Sequence, residues 1–346
     1  MEQLKKMNLS SLAKYAAAAT AAASTLAGCS AGASSPFGPS GAIPATRVSA
    51  STPRQRVAPD RTCPGNALYF SDYQNSTIDS FNAAGGSSAC TVTTGGLSNP
   101  MGIWVQPVAG TYYNYLFAAN AGNGTAVAYK TPLNDASVPE WQFNAGGAPS
   151  DVVQDMFGNV YVAQYGTPNI AVFAPPFSGC TYPSGCSPSY SISDPCGTVD
   201  WLATDGKGDV YSNNYCGYVT LFVTPISAGE VGTKLVGTVV NQPGGMIVDK
   251  HNELVVNDQG TGKITSYGLN VLRSEATARF TLAPYSGAIF GIGLDKSNKF
   301  LWGANVTADA GQRYSFSAGG TGGTPTATDP NLVAPFGAAV RPSSAE

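Results

Sequence analysis

Short apolar runs broken by Gly-, Asn- and Pro-rich stretches fill nearly everything after residue 65, and the segment from Gln242 to Tyr267 shows the pattern most cleanly. Gly245-Met246-Ile247-Val248-Asp249 is an apolar run closed by an acid. A polar turn at Lys250 to Glu253 leads to a second run, Leu254-Val255-Val256-Asn257-Asp258. A Gly-rich turn, Gln259 to Gly262, then opens Lys263-Ile264-Thr265-Ser266-Tyr267, which alternates with period two as a half-buried strand does.

The unit recurs. The residue closing the first strand is Gln106, Asp155, Asp205, Asp249, Asp295 and Arg341, and the polar residue closing the second is Asp72, Asn120, Gln164, Asn214, Asp258 and Asn305. The third strand ends in an aromatic: Phe81, Tyr129, Phe173, Phe222, Tyr267 and Phe316. A fourth strand fits each gap, at Cys90 to Thr94, Glu140 to Phe143, Ser189 to Ile192, Leu235 to Val240, Ala278 to Leu282 and Thr324 to Thr328. Four short strands in a period of about 44 to 50 residues are the mark of a β-propeller blade. The chain therefore reads as all-β, a six-bladed β-propeller over residues 63–342 with a tail at 343–346. The first copy starts at its second strand, Ala67 to Phe70, and the last stops at a first strand, Pro335 to Val340. The C-terminal strand should then be the innermost strand of the N-terminal blade, which removes the open edge of a linear array.

Composition agrees: 41 Gly, 24 Pro and 11% charged residues, against about 25% charged in an average domain, describe a turn-rich β protein. The net charge is −3 with Lys and Arg scattered, so nucleic acid is not an expected partner. Residues 1–28 carry lysines at 5, 6 and 14, then an uncharged stretch from Tyr15 and small residues, the layout of a secretory signal. Leu26-Ala27-Gly28-Cys29 also resembles the bacterial lipobox. That resemblance implies cleavage before Cys29, lipidation of its thiol and a membrane anchor, and Ser30 in place of Asp points to the outer membrane. An ordinary cleavable signal is the alternative. Residues 29–62 are Ser, Ala, Pro and Gly with almost no large apolar side chain, and read as a disordered tether.

Apart from Cys29 there are six cysteines, an even number in an exported chain, which suggests disulfides. Blade topology puts Cys63 with Cys90, Cys180 with Cys186 within one loop, and Cys196 with Cys216 on the opposite end. No Cys-x-x-Cys occurs, and the one histidine, His251, lies in a turn.

Gly158-Asn159-Val160-Tyr161-Val162-Ala163 followed by Asn169-Ile170-Ala171-Val172-Phe173, within Pro149 to Phe173, resembles an NHL repeat and the propellers of the regucalcin and gluconolactonase group. The resemblance covers about 275 residues and implies a lactonase-like site, in which a Glu, two Asn and an Asp hold one divalent ion in the channel. Here Asp151 and Asp200 stand at channel-mouth positions, where other blades offer Met101, Gly244, Phe290 and Phe336. Glu140, Glu230, Glu253 and Glu275 fall in outer strands or turns. No G-x-S-x-G elbow, phosphate loop or H-E-x-x-H occurs.

The expected ligand face is the end where first strands begin. Asp151 and Asp200 sit at its centre, ringed by Asp72, Asn120, Gln164, Asn214, Asp258 and Asn305, with Tyr73, Tyr165 and Tyr215 following three of these. Carboxyl and amide groups beside aromatic rings suit sugars or peptides, although the same residues also cap turns through their own backbone. The expectation is a monomeric lipid-anchored envelope protein that binds a carbohydrate or protein without catalysis and needs no cofactor. A divalent-cation-dependent lactonase or hydrolase and a structural envelope scaffold remain open.

Overall fold

The acid that recurs at the end of first strands is the clamp of a tight turn. Asp155 Oδ1 accepts the N–H groups of Phe157 (2.9 Å) and Asn159 (2.8 Å). Asp205 does the same for Lys207 and Asp209, and Asp249 for His251 and Glu253. The third residue after the acid must turn left-handed, and it is Gly158 and Gly208 at φ 90° and 93°, then Asn252 and Asn298 at 59° and 57°. Those are the residue types that adopt this conformation at least cost. Each clamp returns the chain as the next antiparallel strand.

A computed structural model of the chain describes residues 67–82, 90–93, 95–105, 114–282, 285, 287–295, 297–316 and 323–341. The expected leader at 1–28, the tether with Cys29, Cys63 and the tail at 343–346 lie outside these. The strands form six four-stranded antiparallel sheets, the blades of a propeller. Blade 1 holds β1 (Ala67–Asp72), β2 (Thr77–Asn82) and β3 (Cys90–Val92). Blade 2 is β4 (Pro100–Val105), β5 (Tyr115–Asn120), β6 (Thr125–Lys130) and β7 (Trp141–Phe143). Blade 3 is β8 (Pro149–Gln154), β9 (Val160–Gln164), β10 (Asn169–Phe173) and β11 (Tyr190–Ser193). Blade 4 is β12 (Trp201–Thr204), β13 (Val210–Asn213), β14 (Val219–Phe222) and β15 (Thr233–Leu235). Blade 5 is β16 (Pro243–Val248), β17 (Glu253–Asp258), β18 (Lys263–Asn270) and β19 (Glu275–Leu282). Blade 6 is β20 (Ile289–Leu294), β21 (Phe300–Asn305), β22 (Ala310–Ser315) and β23 (Ala327–Asp329). The last strand, β24 (Pro335–Val340), pairs with β1 as Leu68 with Val340, Tyr69 with Ala339 and Phe70 with Ala338, and completes blade 1 from the other end of the chain.

Apolar side chains fill the spaces between blades. One cluster joins Trp104 and Phe117 of blade 2 to Val152, Tyr161 and Phe173 of blade 3, and another joins Leu68 and Phe70 of blade 1 to Trp302 of blade 6. Polar latches cross the same seams. The Ser150 hydroxyl donates to Asp200 O (2.6 Å), Asn213 Nδ2 to Gly244 O (2.9 Å) and Asn257 Nδ2 to Ile289 O (2.7 Å).

Two fourth strands depart from expectation. In blade 4 the strand is Thr233–Leu235 and not Leu235 to Val240, because Gly237 turns to φ 95° and Val236 pairs instead with Glu275 of blade 5. In blade 6 it is Ala327–Asp329, later than Thr324 to Thr328. The disulfides Cys180–Cys186 and Cys196–Cys216 are both formed, with Cα atoms 4.5 and 5.8 Å apart.

Candidate functional site

Three residues at the start of each innermost strand, or in blade 4 running into it, mark the expected channel mouth. Strand pairing aligns Pro100-Met101-Gly102, Pro149-Ser150-Asp151, Val199-Asp200-Trp201, Pro243-Gly244-Gly245, Ile289-Phe290-Gly291 and Pro335-Phe336-Gly337. Asp151 and Asp200 therefore sit one step out of register with each other. At the third position four blades carry glycine because the neighbouring backbone leaves no room. A Cβ on Gly291 would stand 2.6 Å from Phe336 O, and one on Gly337 2.5 Å from Met101 O. Blade 3 has Asp151 at this position and blade 4 has Trp201. The pinched channel keeps a void of about 50 Å³, lined by Ile103, Val105, Met246 and Ile292 and by a single charged residue among those described, Asp151. At about 10–15 Å³ per water, that is room for a few waters and not for a sugar ring.

Asp151 is a seam-former between blades. Its Oδ1 accepts Val152 N–H (2.9 Å) and its Oδ2 accepts Leu202 N–H of blade 4 (2.8 Å). Burial raises its pKa well above the usual carboxylate range; the two N–H bonds partly offset this, and the Asp200 charge adds to it. Asp200 is 4% exposed, and burial pushes it up to about 7 against one opposing contact, the Tyr215 hydroxyl donating to Oδ2 at 3.2 Å. Its Oδ1 has no hydrogen-bond partner, nor does the indole N–H of Trp201.

The surrounding polar ring is committed to turns. Asp72 accepts the N–H groups of Asn75 (3.0 Å) and Val333 (2.8 Å), and burial raises it to about 6. Asn120 bonds Ser98 and Gly96, Gln164 bonds Ala145 O, and Asn214 bonds Asp194 and Cys216. Asp258 accepts Gln242 and Gly260, and Asn305 accepts Ala308 N–H while donating to Gln312.

The three tyrosines fall into two places. Tyr73 packs at a tilt against Phe336, with centroids 5.0 Å apart, and Phe336 against Phe290 at 4.6 Å. Tyr165 and Tyr215 meet across blades 3 and 4 with centroids 6.4 Å apart and rings at 80°. Tyr215 of this pair donates its hydroxyl to Asp200 Oδ2 and packs edge-on against Tyr165, while Tyr73 belongs to an apolar cluster. Sequence reading missed Trp201 and the glycine ring. The Pro-x-Gly triplets at Pro100, Pro243 and Pro335, read against Pro149-Ser150-Asp151, carry the signal for the ring.

The donor set does not fit the divalent ion of a lactonase-like channel. Both Asp151 oxygens are held by N–H donors, Asp200 holds a tyrosine hydroxyl, and no third His, Cys, Asp or Glu joins them among the described residues. The nearby amides are also committed, Asn213 Oδ1 to Asn214 N–H and Asn257 Oδ1 to Tyr285. Hard cations need several converging oxygens. Calorimetric titration with calcium, magnesium and manganese is expected to give no saturable heat in the micromolar range; a micromolar isotherm abolished by Asp151→Ala would overturn this assignment.

No protein-family model and no curated protein sequence matches the chain. Solved structures match across the propeller. The periplasmic gluconolactonase of Pseudomonas aeruginosa is similar with TM-score 0.58 and 14% identity, over 80% of this chain and 99% of that one. A putative 6-phosphogluconolactonase from Bacteroides uniformis gives 0.55 and 13%, over 78% and 83%. A chain of a nidogen/laminin complex gives 0.58 and 11%, over 80% and 99%. Likeness at this identity establishes the shared fold.

Proposed function

We propose that the protein is a ligand-binding propeller of the extracytoplasmic space, carried on the lipid of Cys29 at the bacterial envelope, with the blade 3–4 quarter of its strand-start face as the contact surface. The observation that carries this reading is the buried Asp200 carboxyl held by the hydroxyl of Tyr215, whose ring meets that of Tyr165 edge to face. A polar group beside aromatic faces is the usual make-up of a small-ligand site. Two disulfides suit an oxidising compartment. The test is affinity selection: the purified propeller and a Tyr165→Ala/Tyr215→Ala variant are incubated with a small-molecule and muropeptide extract, and retained compounds are identified by mass spectrometry. Compounds held by the wild type and lost by the variant support the reading; identical retained sets remove it.

The gluconolactonase neighbours favour a second reading, lactone hydrolysis. With no cluster of three or more His, Cys, Asp or Glu among the described residues, the chemistry would fall to Asp200, whose raised pKa suits proton transfer near neutral pH. Acid release from glucono-δ-lactone that disappears in folded Asp200→Asn would support it, and a rate equal to buffer alone would end it.

A further inference from the structure

Asn123-Gly124 is the single Asn-Gly pair of the chain, and it stands in the turn between β5 and β6 at the strand-start end of blade 2, with Asn123 exposed. Backbone bonds pin the turn on both flanks. Ala121 N–H donates to Asn99 O (3.2 Å) and Gly122 N–H to Ser98 O (3.0 Å) of the blade 1–2 connection, while Gly124 O accepts Gly146 N–H (2.8 Å) of the blade 2–3 connection. The Gly124 N–H itself donates to no acceptor among the described residues.

The Asn123 side chain is polarised from within the fold. Asn120, fully buried, donates from Nδ2 to Thr125 Oγ1 (3.2 Å), and the Thr125 hydroxyl donates to Asn123 Oδ1 (2.8 Å). A hydroxyl whose own oxygen accepts a bond is a stronger donor. Asn120 is itself fixed, since its Oδ1 accepts Ser98 N–H (3.2 Å) and its Nδ2 also reaches Gly96 O (3.1 Å). The relay therefore aims one donor at the oxygen on which negative charge develops when Asn123 Cγ is attacked, and a donor placed there in advance lowers the barrier. Gly124, at φ 73°, has no Cβ to shield its nitrogen.

We propose that Asn123 is a self-modifying site, at which the Gly124 nitrogen closes on the side-chain amide with help from the Thr125 hydroxyl. The Gly124 nitrogen gives up its proton and bonds to Asn123 Cγ; the Cγ–Nδ2 bond breaks, and Nδ2 leaves as ammonia carrying that proton. Water then opens the cyclic imide at one carbonyl or the other, which leaves aspartate or isoaspartate at position 123. Either product adds a negative charge to the strand-start face. Isoaspartate also inserts a methylene into the main chain between the bonds to Ser98 and Gly146, and so loosens the Gly124–Gly146 stitch between blades 2 and 3.

The experiment holds the folded protein at pH 7 and pH 9, digests it at intervals and reads the peptide carrying residue 123 by mass spectrometry for replacement of the amide by an acid. Conversion at Asn123 ahead of every other asparagine is the expected result, roughly tenfold or more faster at pH 9 because the attacking nitrogen must shed its proton. It should be several-fold slower in Thr125→Val and restored in Thr125→Ser, each variant being accepted only with a wild-type near-UV dichroism spectrum. A comparison that needs no variant is the same chain unfolded in urea, in which conversion at Asn123 should be no faster than in the folded protein. An Asn123 that stays intact when folded but converts in urea would overturn the proposal by showing that the pinned turn keeps the nitrogen out of reach. Equal rates in the wild type and a folded Thr125→Val would overturn it by removing the relay.

Discussion

A chain ending at Ala334, which lacks β24, is expected to show no cooperative thermal transition and no near-UV dichroism. Removing that strand takes the inner edge of β1 out of its ladder and Phe336, Ala338 and Ala339, all buried, out of the core. Several ladder hydrogen bonds at about 1 kcal/mol each and one buried phenylalanine at about 2–3 kcal/mol approach the whole net stability of a domain, about 5–15 kcal/mol. The seams on both sides go too, since Gly337 packs on blade 2 and receives the backbone of blade 6. Rescue distinguishes lost closure from mere truncation. Val340 lies opposite Leu68, so residues 335–341 placed ahead of Ala67 through a turn copied from Asp155 to Asn159 should restore the cooperative transition. A folded, cooperatively melting truncation, or failure of the graft, would show that closure by β24 is not what holds the ring.

Asp200→Asn should raise the melting temperature at pH 8 and lower it at pH 4.5. The sign follows from the direction of the shift. Asp200 titrates near 7 in the folded protein, against about 3.9 unfolded, so between those values the folded state holds a proton that the unfolded state has lost. Stability due to this group is present below about pH 4, falls as pH rises through that window, and is fully lost above about 7. About three units at 1.36 kcal/mol each sets a ceiling near 4 kcal/mol; an amide that leaves a buried N–H without a partner returns about 1–3 kcal/mol of this. The net gain at pH 8 is on the order of 1–2 kcal/mol, or roughly 2–8 °C for a domain of this size. A variant less stable than wild type at pH 8 would show that the carboxylate is already compensated in the folded protein.

The repeat was legible because its period has local causes. Asp155, Asp205 and Asp249 clamp turns within four residues, the left-handed position takes Gly or Asn, and the strands between alternate. Disulfide pairing for Cys180 with Cys186 and Cys196 with Cys216 followed from the same topology. The fourth strands were least legible: in blade 4 a single glycine and a bridge to Glu275 moved the strand, and neither is a property of the segment itself. At the site, residue types alone left Asp72, Asn120, Gln164, Asn214, Asp258 and Asn305 equal to Asp151 and Asp200. Their hydrogen bonds separate them, because a side chain's partner on a neighbouring turn or blade has no fixed distance along the chain.

By itself the amino-acid sequence determined the all-β class, the six blades, the closing role of residues 335–340 and the end of the propeller where first strands begin. Each rests on interactions between residues near in the chain or related by the repeat. Only the tertiary structure decided that the channel is pinched by glycine backbones, that Asp151 is taken up by a blade seam, and that Asp200 is buried with one oxygen on the Tyr215 hydroxyl and the other without a partner. Those outcomes depend on how closely blades pack and which groups lose water there, and desolvation is a property of the assembled ring.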